Sequence, residues 1–195
     1  MKNAGFKQVD VQLAISHDGR TWSRAANRKE VIPLGDPNSW EADYNRITYH
    51  PIILEKEIRF YYTGSRNRDR DGFKHYQFAI GLATLRRDGF VSLNAGDKPG
   101  TVLTRPLTWK GRNLLVNAEV APGGHVKATV LDIDGRPVKG YGLAQCTPVR
   151  KDTVGGAITW SGAATLPAGS GTAIERHLRL QFEVRKAKLY SFRVE

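Results

Sequence analysis

Apolar and polar residues alternate with period two along most of the chain, and helical periodicity is nearly absent. Val9-Asp10-Val11-Gln12-Leu13-Ala14-Ile15-Ser16 predicts a strand with Val9, Val11, Leu13 and Ile15 on one face. His17-Asp18-Gly19-Arg20 then predicts a tight hairpin turn, Asp-Gly supplying the positive φ, before Thr21-Trp22-Ser23. Residues 52–54 and 58–63 flank the polar Glu55-Lys56-Glu57 as a second hairpin with an aromatic, β-prone return strand. Residues 78–85 are apolar and small enough to predict a strand covered on both faces, and Asp88-Gly89 predicts its turn into a further hairpin with residues 90–93. Asn94-Ala95-Gly96-Asp97-Lys98-Pro99-Gly100 disfavours both strand and helix and reads as a boundary. Beyond it, strands are expected at 114–120, 126–131, 157–160, 178–184 and 188–194. Turns are expected at Asp134-Gly135-Arg136-Pro137 and at Arg185-Lys186-Ala187, the latter closing a terminal hairpin. The fold class is all-β, and short strands separated by turns predict a jelly-roll-like β-sandwich over 94–195.

Composition narrows this picture. A chain of 195 residues can bury one large or two small cores without disulfides. Cys146 is the only cysteine, which excludes an internal disulfide and a cysteine-rich metal site and leaves a structural thiol. No apolar run approaches the ~20 residues that cross a bilayer, so no membrane partner is expected. The first eight residues carry charge without an apolar stretch behind it, which predicts a cytoplasmic chain as written, or a secreted or periplasmic one if a segment precedes it. Thirty Lys and Arg against nineteen Asp and Glu give a net charge of +11, enough to attract an acidic polysaccharide or a nucleic acid. The basic residues are spread out and no nucleic-acid-binding signature accompanies them, which ranks nucleic acid below carbohydrate as a partner. The five histidines lack metal-ligand spacing. Asp132-Ile133-Asp134-Gly135 starts like a calcium loop but lacks the later ligands and reads as a hairpin turn, so no metal and no cofactor are expected.

The segment Ser16-His17-Asp18-Gly19-Arg20-Thr21-Trp22 resembles the Asp-box of sialidases and related sugar-cleaving β-propellers. Its chemistry is structural: Asp18 accepts backbone N–H bonds across the turn, Gly19 takes the conformation other residues resist, and Trp22 is expected to pack beneath. Ser16, Asp18, Gly19 and Trp22 thus speak for architecture rather than catalysis, and residues 1–93 read as propeller-blade-like.

A broader resemblance runs from about residue 9 to the end. Residues 11–16 with their Asp-Gly turn, Ile32-Pro33-Leu34-Gly35 before Trp40, residues 58–64, residues 80–93 and Ala187-Lys188-Leu189-Tyr190-Ser191-Phe192 resemble the C-terminal part of glycoside hydrolase family 32-like proteins. The most specific stretch is 81–93. That resemblance implies the end of a five-bladed β-propeller followed by a β-sandwich, and a function in carbohydrate metabolism. The family's Trp-x-Asn-Asp-Pro-Asn, Arg-Asp-Pro and Glu-Cys motifs do not occur here. Glycoside cleavage ordinarily takes two carboxylates about 5–9.5 Å apart, so this chain alone is expected to lack a complete active site. A non-catalytic carbohydrate-binding module is the alternative. Residues 9–93 supply material for about two blades of a ring that needs four to eight, which predicts a homo-oligomer or a missing N-terminal propeller segment.

Two stretches could carry chemistry. In Trp40-Glu41-Ala42-Asp43-Tyr44, the period-two spacing of Glu41 and Asp43 would put both carboxylates on one face if the segment is extended, making them candidate catalytic groups. The competing reading is solvated loop residues or partners for Arg46. Arg66-Asn67-Arg68-Asp69-Arg70-Asp71 follows Phe60-Tyr61-Tyr62 and precedes Lys74-His75-Tyr76. Arg66, Arg68 and Arg70 could grip a carboxylate or sulfate while Trp40, Tyr44, Tyr62 and Tyr76 stack on sugar faces. The competing reading here is a solvated loop with internal Arg–Asp pairs.

Overall fold

The computed structural model describes residues 8–47, 49–67, 76–110, 112–167 and 177–195. The protein is all-β, with 55% of residues in strands arranged in several antiparallel sheets, and no closed barrel among the described residues. No helix among them is long and apolar enough to cross a membrane. The chain divides into two compact units, Met1–Phe90 and Val91–Glu195.

The first unit is built on β7 (Glu57–Asn67), which pairs along its full length with β8 (Tyr76–Arg86) on one side. On its other side lie β5 (Tyr44–Ile47) and β6 (Ile52–Ile53), end to end. Because side chains alternate along a strand, Ile58, Phe60, Tyr62, Gly64 and Arg66 share one face of β7, and Arg59, Tyr61, Thr63 and Ser65 the other. The first face is packed. Ile58, Phe60 and Tyr62 form a small core with Ile32, and Val11, Val31, Trp40, Ile47, Ala83 and Leu85 pack around it.

The run expected as one strand over residues 9–16 is broken. β1 (Val11–Gln12) pairs with β4 (Glu30–Ile32), whereas β2 (Ala14–Ile15) pairs with β3 (Ser23–Arg24), and Val9 bridges to Tyr44. Three partners divide one alternating segment. The hairpin loop between β2 and β3 is correspondingly longer than a two-residue turn, since Ile15 stands opposite Ser23. Residues 78–85 do form a strand, but one face of it is bare: Phe78, Ile80 and Leu82 are 65%, 73% and 50% exposed. The small Ala79, Gly81 and Ala83 point to the packed side, where they leave room for the β7 aromatics. Asp88, at φ 54°, turns the chain after β8, yet no return strand follows in this unit.

In the second unit, β9 (Leu93–Ala95) and β10 (Gly100–Leu103) flank the turn at residues 96–99 and both pair with β14 (Arg179–Val194). β14 pairs in turn with β11 (Leu114–Leu131), which carries β13 (Thr153–Trp160) and, beyond it, β12 (Cys146–Thr147). Here the expected terminal hairpin does not exist. Arg185-Lys186-Ala187 is a bulge inside one sixteen-residue strand, and the segments expected as separate strands at 114–120 and 126–131 are likewise one strand.

The ladder explains both. Val120 pairs with Ala187 and His125 with Arg185, so residues 121–124 bulge opposite the single residue Lys186. Bulges bend strands and increase their twist. They also shift the alternation: Leu180, Phe182 and Val184 are buried before Lys186, and Ala187 and Leu189 after it. One extra residue keeps the apolar positions facing inward through the bend. Among the described residues, sixteen buried side chains make up the resulting core, Phe182, Trp160, Leu166 and Val126 among them. Cys146 belongs to it as a structural thiol: its Sγ accepts the Ala128 amide at 3.3 Å, and burial raises its pKa. Asp132-Ile133-Asp134-Gly135 is a hairpin turn, with Gly135 at φ 82° and the Arg136 amide donating to Asp132 Oδ1 at 2.8 Å.

Candidate functional site

Glycine 64 organises the first unit's polar cluster. A Cβ there would collide with the Trp40 ring and the Glu41 side chain, so only glycine lets the segment before β5 lie on the β7 backbone. Trp40 consequently stacks on Tyr62, with ring centroids 5.8 Å apart and planes 22° from parallel. The Tyr62 hydroxyl donates to Glu41 Oε2. Burial, then the hydrogen bond and charge of Glu41, push the Tyr62 pKa up to about 12, which keeps the phenol protonated and donating. One position beyond Gly64 on the same face, Arg66 is 5% exposed and donates from Nη1 to the Asn38 carbonyl. Asn45, opposite Gly64 on β5, is 1% exposed and donates to the Pro33 carbonyl at 2.8 Å.

Four of the residues singled out from the sequence, Trp40, Glu41, Tyr62 and Arg66, therefore meet on one face. Others do not join them. Residues 40–43 are turn and bend rather than strand, so the period-two premise for pairing Glu41 with Asp43 fails. Asp43 is held through its main chain, donating to the Ser65 carbonyl at 3.2 Å and accepting from Val9 at 3.0 Å. Tyr44 pairs with Ser65 and so lies on the sheet face opposite Tyr62. Arg68 and Arg70 lie outside the described residues, and Tyr76 is placed only as the β8 partner of Asn67. The spacing argument overlooked Asn38, Ser39 and Asn45. Only Gly64, a glycine inside a strand pattern, signalled the close approach that assembles the cluster.

The Asp18 turn has the geometry its sequence implies. Oδ1 of Asp18 accepts the amides of Thr21 at 2.7 Å and Arg20 at 2.8 Å and the Ser16 hydroxyl at 3.0 Å. The Ser16 hydroxyl accepts the Gly19 amide at 2.8 Å, and Gly19 sits at φ 70°. These donors, Thr21 first, hold the Asp18 pKa down at about 2. Trp22 is not beneath the turn. It is 63% exposed, and among the described residues the two-residue strands β2 and β3 form a sheet of their own with no further strand to pack it against.

In the second unit, a shallow cleft beside the bulge is lined by Asp97, Glu119, Lys186 and Lys188. Its charges are matched: Lys186 pairs with Asp97 at 2.8 Å and Lys188 with Glu119 at 3.0 Å. Among the described residues, no group of three or more His, Cys, Asp or Glu side chains is placed to hold a metal ion. Comparison with protein-family profiles, curated proteins and solved structures returns no match.

Proposed function

We propose that this chain is a carbohydrate-associated protein, akin to the C-terminal portion of a propeller glycoside hydrolase, that binds saccharide without cleaving it on its own. On this reading the first unit is blade material and the second a β-sandwich. The observation that carries it is the half-buried Trp40 ring, held in place by its stack on the core residue Tyr62 and flanked by Glu41: a partly exposed aromatic edge beside a carboxylate acceptor is what a sugar's C–H face and hydroxyls require. The carboxylate gathered on Tyr62 is Glu41, and hydrolysis ordinarily needs a second one about 5–9.5 Å away. The bare face of β8 fits the same reading, since a neighbouring blade or a second copy would cover it.

A glycan array combined with a reducing-sugar assay tests the proposal. Binding without turnover is expected, with affinity falling at least about tenfold in Trp40→Ala, the loss of roughly one aromatic contact. Sugar release abolished by Glu41→Gln would instead make the chain an enzyme. Failure to bind any glycan would remove the carbohydrate reading altogether.

A further inference from the structure

Arg66 is buried, and among the described residues no carboxylate pairs with it. It is 5% exposed, Nη1 reaches the Asn38 carbonyl, and Nε has no hydrogen-bond partner. Two neighbours share the condition. Ser39, next in sequence to Asn38, has a buried hydroxyl without a partner, and so does Oδ1 of Asn45, which stands opposite Gly64.

A guanidinium removed from water needs an acceptor for its charge, and a main-chain carbonyl is a weak substitute for an anion. For folding alone, methionine would fill the same space without that desolvation penalty. Three buried polar atoms of complementary type lack a partner: a cationic donor on Arg66, a hydroxyl on Ser39, which follows the exposed residues 36–38 that include the carbonyl Arg66 holds, and an amide oxygen on Asn45, whose strand partner Gly64 is two residues from Arg66. Moving the Asn38 carbonyl aside frees the planar fork for two parallel bonds to an oxyanion. The net charge of +11 would draw such a ligand in.

We propose that Arg66 is the receptor for an anionic group of the ligand, a sugar carboxylate or sulfate ester. In this arrangement Ser39 donates to the anion and Asn45 accepts from a neighbouring hydroxyl. The inference rests on the saccharide-binding reading above and narrows it to acidic saccharides.

The test is calorimetric titration of the whole chain with four probes: a galacturonate trimer, a sulfated disaccharide, a galactose trimer and sodium sulfate. The acidic saccharides should bind at least about tenfold tighter than the neutral trimer, as a charge-assisted bidentate contact implies. Comparing the first two identifies carboxylate or sulfate as the preferred group. Arg66→Met should erase that preference while raising the melting temperature of the ligand-free protein, and Arg66→Lys should keep only part of it. A melting temperature lowered by Arg66→Met, or a variant that does not fold, makes the guanidinium structural and overturns the proposal. Equal affinity for neutral and acidic sugars overturns it too, but leaves the saccharide reading standing. Acidic sugars bound through Arg66 no more tightly than sodium sulfate would leave an anion site and defeat the saccharide reading.

Discussion

The two units start from similar material, antiparallel strands with alternating side chains, and finish it differently. In the second, β11 and β14 run for eighteen and sixteen residues and bend at bulges, and sixteen of the described side chains are buried in its core. In the first, most described strands are two to four residues long, the packed core among the described residues is four side chains, and Ile80 and Leu82 face solvent. Strand length and curvature, more than composition, decide whether a sheet can cover itself. The candidate site lies in the less finished unit, where conformational adjustment costs least, the usual placement for binding surfaces.

The strongest way to break this contrast is through the cores. Phe182→Ala, at a position with no exposure, should destabilise the second unit by about 3–5 kcal/mol, the usual cost of emptying an aromatic core site. Hydrogen exchange in increasing denaturant should show β7 and β8 opening before β11 and β14 in the unmodified protein. In Phe182→Ala the gap should narrow or reverse. Simultaneous opening of both units in the unmodified protein would show that the difference in cores has no energetic meaning.

A smaller effect is expected on the bare face. Ile80→Lys should change stability by no more than about 0.5 kcal/mol, as for exposed positions generally. It should nevertheless reduce self-association measured by sedimentation, because it puts charge on an apolar edge strand. A loss of stability comparable to a core substitution would mean that the face is covered after all.

The subtlest difference concerns acid. The folded pKa of Asp18, about 2, lies below its ordinary value of 3.8, so its contribution is complete above about pH 4 and is lost as pH falls through 2. NMR spectra should show the Thr21 and Arg20 amides losing their hydrogen-bonded shifts over that window, while the Val126 and Phe182 amides do not move. Asp18→Asn should show the loosened turn at neutral pH.

The all-β class was legible in the alternation, and the misreadings share a cause. The turns at Asp18-Gly19 and Asp134-Gly135 were readable because a positive φ leaves a residue signature. Lys186 was read as a turn because a bulge interrupts alternation just as a turn does, and only the partner strand tells them apart. Residues 78–85 looked doubly covered because their composition does not say that three of the four large side chains, Phe78, Ile80 and Leu82, fall on one parity, with Leu85 alone on the packed side. Within the site, Trp40 and Tyr62 are twenty-two positions apart, and no local period links them. Asn45 and Ser39 were invisible for the same reason, their significance being that they are buried and unsatisfied.

The opposed bulges also act as an error check on assembly. Gly123 at φ 75° and Lys186 at φ 44° occupy conformations that an ordinary ladder position does not allow, and Gly124 leaves no room for a Cβ against the Arg185 and Lys186 carbonyls. If β11 slides one residue along β14, both irregularities meet regular partners and Leu180, Phe182 and Val184 exchange sides with their polar neighbours. A mispaired intermediate thus has two independent reasons to come apart. The chain can therefore align two strands whose nearest ends, Leu131 and Arg179, are forty-eight positions apart in sequence without a short turn to set their register.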